Sequence, residues 1–286
     1  MPVMSATNPG PDRHHFWCDP ALPFIETRAV QDGRHVCYDK HSHAHFSIGA
    51  ITGGHSHYLN QRSNQEVGSG HLVLMNPEEV HACNPIADQP WSYLMFYLDT
   101  DWLHGLQEEA GLGSRFRPFD MTASRDPVLY LALQRLHRAL LQGQDPLAKG
   151  VACQLFGHQL LARLTPASWD DRPPLHLQRA AELMQDDSAS ALNLQQLSVV
   201  AGLSPSHFVR AFSHHYGMTP HAYLLDQRIR HARTLLRQGH PLAEVALASG
   251  FADQAHFQRQ FKRRVAATPG QYRLQLSPRP APGKRR

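Results

Sequence analysis

The stretch GFADQAHFQRQFKRRVAATPGQY, residues 250–272, repeats an earlier one, GLSPSHFVRAFSHHYGMTPHAY, residues 202–223. Phe208 matches Phe257, Phe212 matches Phe261, Pro220 matches Pro269 and Tyr223 matches Tyr272, each pair 49 residues apart. Gly202 and Gly250 are 48 apart, so the second copy holds one extra residue in its turn. Each copy reads as helix, tight turn, helix: LQQLSVVA precedes Gly202 and LAEVALAS precedes Gly250, and the glycine supplies the backbone freedom that ends one helix and admits a sharp turn. Ser204 and Asp253 suit the N-caps of the helices that follow, with Pro205 at the first helical position of one. Two helix-turn-helix units are expected.

Helical geometry divides the side chains of each second helix. Phe208 and Phe212 share one face, and Ser206, Arg210 and Ser213 lie opposite, flanked by His207 and Val209. In the second copy Phe257 and Phe261 point in, while Ala255, Arg259 and Lys262 point out, flanked by His256, Gln258 and Arg263. Arg210 and Arg259 occupy equivalent outward positions. A guanidinium there can bond O6 and N7 of guanine together, and a glutamine can do the same for adenine. A solvated basic face would explain either copy alone; two copies with caps, glycines and basic faces in register point to double-stranded DNA.

Between the copies, AYLLDQRIRHARTLLRQ carries apolar residues at Leu224, Ile229, Ala232, Leu235 and Leu236. One helix of about 18 residues would span about 27 Å, near the ~34 Å of a DNA turn that separates successive major grooves on one side of the duplex.

These features resemble the DNA-binding domain of AraC/XylS-type transcription regulators over the C-terminal hundred residues. The resemblance rests on the doubled motif, the GFADQAHFQRQFKRRVAATPGQYR ending and the matched Pro-x-x-Tyr. It implies a seven-helix domain, binding of promoter DNA and contact with RNA polymerase when the protein activates. It also places base-reading positions at Ser206, Val209 and Arg210 in the first copy and at Gln254, His256, Gln258 and Arg259 in the second. Val209 can contact only thymine methyls or sugar, which leaves Arg210 and DNA shape to carry the first helix's specificity.

Charge divides the chain in the same way. Of 28 Lys and Arg and 24 Asp and Glu, residues 176–286 hold 15 and 6, leaving 13 and 18 for residues 1–175. The C-terminal part suits a polyanion; the acidic N-terminal part contributes nothing to holding one. TPASWDDRPP, residues 165–174, interrupts helix with Pro and Asp and marks the seam. The expected organisation is a domain over 16–164, a linker over 165–175, a DNA-binding domain over 176–276 and a disordered basic tail, SPRPAPGKRR, over 277–286, with the first fifteen residues loose. No stretch of about eighteen uncharged residues could span a membrane, nor does the start carry a secretory signal. A soluble, cytoplasmic protein with no membrane partner is expected. Cys18, Cys37, Cys83 and Cys153 form no CxxC pair and are expected to be reduced and mostly buried.

From Val36 to Leu98, short apolar runs (HFSIGAIT, SHYLNQ, HLVLMN, WSYLMFYLD) alternate with Gly, Asn and Pro turns, as in a β-barrel or sandwich. The period then becomes helical in PVLYLALQRLHRALL, 127–141, and VACQLFGHQLLARL, 151–164. The fold class is α+β: an N-terminal barrel with appended helices and a C-terminal all-α double helix-turn-helix. HSHAHF, 41–46, with GHLVLMNPEEVHACNP, 70–85, resembles the cupin-like sensor domain found upstream of this DNA-binding domain, over roughly residues 20–100. Metal cupins follow an HxH pair with Glu, whereas Ile48, Gly49 and Ala50 stand here. Two readings stay open. Alternate residues of a strand share a face, so His41, His43, His45 and His81 could converge on a metal. Otherwise His43, His45 and His81, with Trp91 and Tyr93, line the mouth of a pocket for a small-molecule effector of unknown identity, without cofactor or metal.

Leu129, Leu133, Leu136 and Leu140 form a stripe that either packs on the barrel or pairs two subunits, and a homodimer is expected. The functional expectation is a sequence-specific transcription regulator controlled by an effector bound in the barrel. The alternative is a cupin metalloenzyme fused to a DNA-binding domain; no nucleophile triad, phosphate loop or paired-carboxylate motif supports an enzyme.

Overall fold

The computed structural model describes residues 14–34, 36–61, 63–142, 145–167 and 173–276. The described residues hold nine strands: β1 His14–Cys18, β2 Ile25–Val30, β3 Phe46–Gly53, β4 His55–Asn60, β5 Ser63–Gly68, β6 Leu72–Met75, β7 His81–Pro85, β8 Ser92–Leu98 and, after the first helix, β9 Ala123–Ser124. They form a six-stranded antiparallel sheet, ordered β1-β2-β8-β3-β6-β9, and a three-stranded one, β5-β4-β7.

Side-chain alternation tells how the large sheet is covered, because successive residues of a strand point to opposite faces. Phe46, Ile48 and Ala50 of β3, Leu72 and Leu74 of β6, and Phe96 and Leu98 of β8 join one core cluster with helices α1 Thr100–Glu109, α2 Pro127–Gln142 and α3 Pro146–Arg163. The intervening Ile51, Val73, Met75, Tyr93, Met95 and Tyr97 face Tyr58, Val67 and Cys83 of the smaller sheet. Tyr58 ties the two sheets together, its buried hydroxyl donating to the Leu74 carbonyl at 2.6 Å. The tight turn from β3 to β4 requires Gly54, whose φ is +67° and where a Cβ would lie 2.1 Å from the Pro90 carbonyl oxygen.

Leu129, Leu133, Leu136 and Leu140 all lie in the helix-facing core, so that stripe packs within the sheet region. A different set, Val128, Leu131, Leu141, Leu147, Val151 and Leu155, is exposed on α2 and α3.

Seven helices follow among the described residues: α4 Leu175–Asp186, α5 Leu194–Val200, α6 Pro205–Tyr216, α7 Pro220–Arg237, α8 Leu242–Ala248, α9 Gln254–Val265 and α10 Pro269–Leu276. The α5–α6 and α8–α9 pairs are the two expected helix-turn-helix units. Phe208 and Phe212 anchor the first to one core cluster, with Leu177, Met184 and Tyr223; Phe257 and Phe261 anchor the second to another, with Ile229, Ala232 and Tyr272. Gly250 has φ +78° and its would-be Cβ sits 2.7 Å from the Ala189 carbonyl oxygen, so both backbone conformation and close approach demand glycine there.

Several expectations need correction. Residues 41–45 are not a strand: β3 begins at Phe46, and His41 makes only an isolated bridge to His81. The sheet region begins at His14, inside the stretch expected to be loose, because β1 pairs along β2. Helix α4 starts at Leu175, and Pro166 bridges back to Phe119, so the expected linker is structured at both ends. Cys18 and Cys37 are exposed; only Cys83 and Cys153 are buried. The tail over 277–286, residues 1–13 and linker residues 168–172 lie outside the described residues.

Since the two units have separate aromatic cores, Phe208→Ala and Phe257→Ala should each destabilise the helical region by about 3 to 5 kcal/mol. Their effects should add to within about 0.5 kcal/mol in the double variant, as read from urea unfolding.

Candidate nucleic-acid interface and sensor site

Helix α6 starts on a capped turn: the Ser204 hydroxyl accepts from the His207 amide at 3.4 Å, and Pro205 takes the first position. Ser206, His207 and Arg210 are exposed on it, Val209 and Ser213 are half-buried, and Phe208 and Phe212 have no exposure. Helix α9 repeats the arrangement, with the Asp253 carboxylate accepting from the His256 amide at 2.6 Å. Gln254, Gln258, Arg259, Lys262 and Arg263 are exposed. His256 is half-buried, its ring edge-on to Phe251 at 5.5 Å.

The four cations that crowd α9 do not share one environment. Arg259 and Lys262 stand in solvent. Arg263 reaches back to the sheet region, its Nε 2.9 Å from Asp39 Oδ2. Arg264 is turned inward and buried, donating to Gln260 Oε1 at 2.5 Å. The C-terminal end of α9 is closed by the sheet region as well: Arg28, fully buried, donates to the Val265 carbonyl at 2.7 Å, and the Asp39 amide donates to the Arg263 carbonyl at 2.9 Å. A cation at a helix C-terminus also opposes the negative end of the helix dipole.

Helix α7, which joins the two units, has two functional faces. Its apolar residues enter the helix-turn-helix cores, Leu224 in the first and Leu225, Ile229, Ala232 and Leu236 in the second. Asp226, Arg230, Arg233 and Arg237, spaced four, three and four residues apart, turn toward the sheets. Asp226 is buried and accepts from both the amide (3.1 Å) and the hydroxyl (2.8 Å) of Ser42; burial pushes its carboxyl up, while Arg230 and the Ser42 bonds pull it down. Arg230 makes two 2.7 Å bonds to the Glu78 carboxylate. Arg233 and Arg237 share Glu26, and both donate to the Tyr272 hydroxyl, at 3.3 and 3.1 Å.

The predicted sensor residues divide between two spaces. His41, His43, His81, Trp91 and Tyr93 line a cavity between the two sheets, together with Tyr38, Met75, Met95 and Tyr97. Its free space is about 20 Å³, room for one or two waters. Trp91 and Tyr93, expected at the mouth of a pocket, are instead stacked deep in the core at 4.5 Å. His45 lies outside this group: it is 3.9 Å from Asp99 and lines a wider cleft, about 440 Å³, against Arg230, His231, Arg233 and Arg237 of α7. His43 lines both spaces.

The rings of His41, His43 and His81 are 4.4 to 5.0 Å apart between centroids. Burial holds all three imidazoles below their ordinary range, reinforced in His41 and His43 by neighbouring histidines; His81 is pushed down to about 4. Strand alternation would group these residues with His45; the irregular course of 41–45 separates it.

Sequence reasoning did not find Glu26, Arg28, Asp39, Ser42 or Glu78. The one signal available was the polar stripe on α7, which reads equally well as a solvated face.

The comparisons with known proteins agree with this geometry. Residues 25–164 match the AraC-like ligand binding domain and residues 197–275 match a helix-turn-helix domain. The HTH-type transcriptional regulator YbfI of Bacillus subtilis is 28% identical over 225 residues, 77% of this chain and 81% of that protein. The MmsAB operon regulatory protein of Pseudomonas aeruginosa is 29% identical over 222 residues, 73% of this chain and 67% of that protein. Among solved structures, apo ToxT from Vibrio cholerae superimposes with a TM-score of 0.60 at 12% identity, covering 89% of this chain and 98% of that one. With a ligand-binding region of sheets followed by a doubled helix-turn-helix, the chain belongs to the AraC/XylS family of transcription regulators.

Proposed function

We propose that the protein is a cytoplasmic homodimer that reads promoter DNA with α6 and α9 and passes effector occupancy in the sheet region to those helices through α7. The observation that carries this reading is the double seat of α7, whose apolar face builds both helix-turn-helix cores while its polar face is bonded to the sheets. A shift of the sheets against this helix changes the relative placement of two reading heads, which is what a ligand with different affinity for two arrangements needs. Family membership supports a binding role rather than catalysis, and contact with RNA polymerase goes with an activating role at a promoter.

Arg210 and Arg259 are the proposed guanine readers, with Gln254 and Gln258 as adenine readers and Ser206, His207, Val209, Ser213, His256 and Lys262 on sugar, phosphate and methyl groups. Arg263 joins them only when it leaves Asp39. The effector enters beside His43 and His81. Met75 and Met95, flexible side chains, are the ones that must yield for a molecule larger than water to reach Trp91 and Tyr93. The exposed Leu131, Leu147, Val151 and Leu155 supply the dimer surface.

Replacing Arg210 or Arg259 with Ala should cost about 1 to 3 kcal/mol of operator affinity and relax selectivity at one base pair of its half-site. Selection from a genomic fragment library at about 150 mM salt, where non-specific attraction is weakened, measures both. Recovery of the same motif at the same affinity by both variants would remove these arginines from the reading surface. Asp39→Asn should tighten DNA binding up to about fivefold at low salt by freeing Arg263 and removing a carboxylate beside the phosphates, an effect that fades as salt rises; fluorescence anisotropy across a salt series reads it. Leu147→Glu with Leu155→Glu should yield a monomer in sedimentation equilibrium while each chain keeps its melting temperature.

A further inference from the structure

His41, His43 and His81 meet where the intersheet cavity, the basic cleft and the seat of α7 adjoin. One ring nitrogen from each lies within 4.8 Å of those of the other two, and all three residues are buried. In His41, Nδ1 faces the Asp39 carbonyl at 2.9 Å; in His81, Nδ1 faces the Glu79 carbonyl at 2.9 Å. A carbonyl oxygen only accepts, so both Nδ1 atoms carry the hydrogen and both Nε2 atoms keep a bare lone pair. That backbone bond is the one by which proteins fix the tautomer and orientation of metal-binding histidines. His43 Nδ1 is fully buried and has no hydrogen-bond partner among the described residues. Three imidazoles thus bring several acceptor nitrogens into one buried corner. Satisfying such a group is worth more than leaving it unmade.

We propose that His41, His43 and His81 hold one divalent transition-metal ion, with a further coordination position open to the cavity. An all-imidazole set suits zinc, cobalt, nickel or copper rather than magnesium or calcium, which take oxygen ligands. Tetrahedral bonds of about 2.1 Å put ligand nitrogens about 3.4 Å apart, so the rings need to close by about 1.4 Å at most from their 4.8 Å limit. Three neutral ligands leave the ion its full double charge. The free space of about 20 Å³ beside it accommodates a water, or one oxygen of an anionic ligand. Of the four histidines the sequence singles out, His45 is the one this site excludes.

The site also touches the linkage to DNA. Ser42, between His41 and His43, bonds Asp226; Glu78, whose amide donates to the His43 carbonyl at 2.8 Å, bonds Arg230. An ion that draws the 41–43 and 79–81 segments together acts on these two bonds to α7. This consequence, unlike the site itself, rests on the reading of the chain as a DNA-binding regulator.

The test uses full-length protein stripped with a chelator and then titrated with Co²⁺ and Zn²⁺. One equivalent of Co²⁺ should bind with the visible absorption bands of a low-coordinate cobalt site, and Zn²⁺ should displace it and raise the melting temperature. His45→Ala should keep this behaviour; His81→Asn and His43→Gln should lose the bands and the thermal shift. Melting curves in chelator establish that these two variants are folded. Binding that is absent, or that survives in His81→Asn and His43→Gln alike, overturns the site. In the second arm, Zn²⁺ should change operator affinity at least about fivefold, the lower end of ordinary allosteric coupling, in wild type and not in His81→Asn. A protein that binds zinc at these histidines with unchanged operator affinity overturns the coupling. One that binds zinc there but selects no DNA sequence overturns the regulator reading and leaves the metal site standing.

Discussion

The C-terminal end of α9 is finished by a different part of the chain. Most helices close their last carbonyl groups with a following glycine, a local turn or water. Here Ala266 turns left-handed at φ +51°, and the sheet region supplies two further donors, the Arg28 guanidinium and the Asp39 amide. Arg28 is buried completely, between the rings of Phe16 and Tyr38 at 4.8 and 5.5 Å. A buried guanidinium costs several kcal/mol unless its bonds are made. This contact therefore has two favourable conditions, docked on the helix end or hydrated, and little in between. The second helix of the second helix-turn-helix unit is thereby tied to the sheets as a unit.

The same logic extends along α7. Its Asp226 and Arg230 bond to Ser42 and Glu78 in irregular segments, and Arg233 and Arg237 to Glu26 on β2. The pairs differ in kind. Arg263 with Asp39 is largely exposed, at 61% and 37%, and such pairs contribute little in water. Glu26, at 7%, is held by two arginines, which also donate to the Tyr272 hydroxyl, and removing one partner there would strand a charge. The buried bonds set the docked geometry, whereas the exposed pair, screened by solvent, adds little to it.

Legibility in the sequence followed the range of the interactions involved. The helix-turn-helix units were readable because every determinant is local: Gly202 and Gly250 at the turns, Ser204 and Asp253 at the caps, and Phe208, Phe212, Phe257 and Phe261 four residues apart. The appended helices were readable from leucine spacing, although the partner of the Leu129 stripe was not, since an apolar face does not say what covers it. The sensor side was harder. Whether His45 joins His43 depends on where β3 begins, and that start is determined by pairing with β6 and β8 rather than by anything in HSHAHF. Trp91 and Tyr93 differ in the same way: an aromatic in a strand fits a pocket wall or a packed core, and only the opposing sheet decides.

That opposing sheet also bears on how a signal could leave the barrel. Among the described residues, His43 is shared by the narrow cavity and the wide cleft, and its neighbours Ser42 and Ala44 lie on an irregular segment rather than in a strand. Strand β3 is held by ladders on both sides, to β6 and β8, and a small push on it is absorbed by the whole sheet. A loop segment with one isolated bridge, His41 to His81, yields more easily. A force on His43 from the cavity therefore moves Ser42 and the Asp226 bond before it deforms β3. This irregular segment is one of the places where α7 is anchored, beside Glu26 on β2, so a displacement of it reaches α7 through the Asp226 bond.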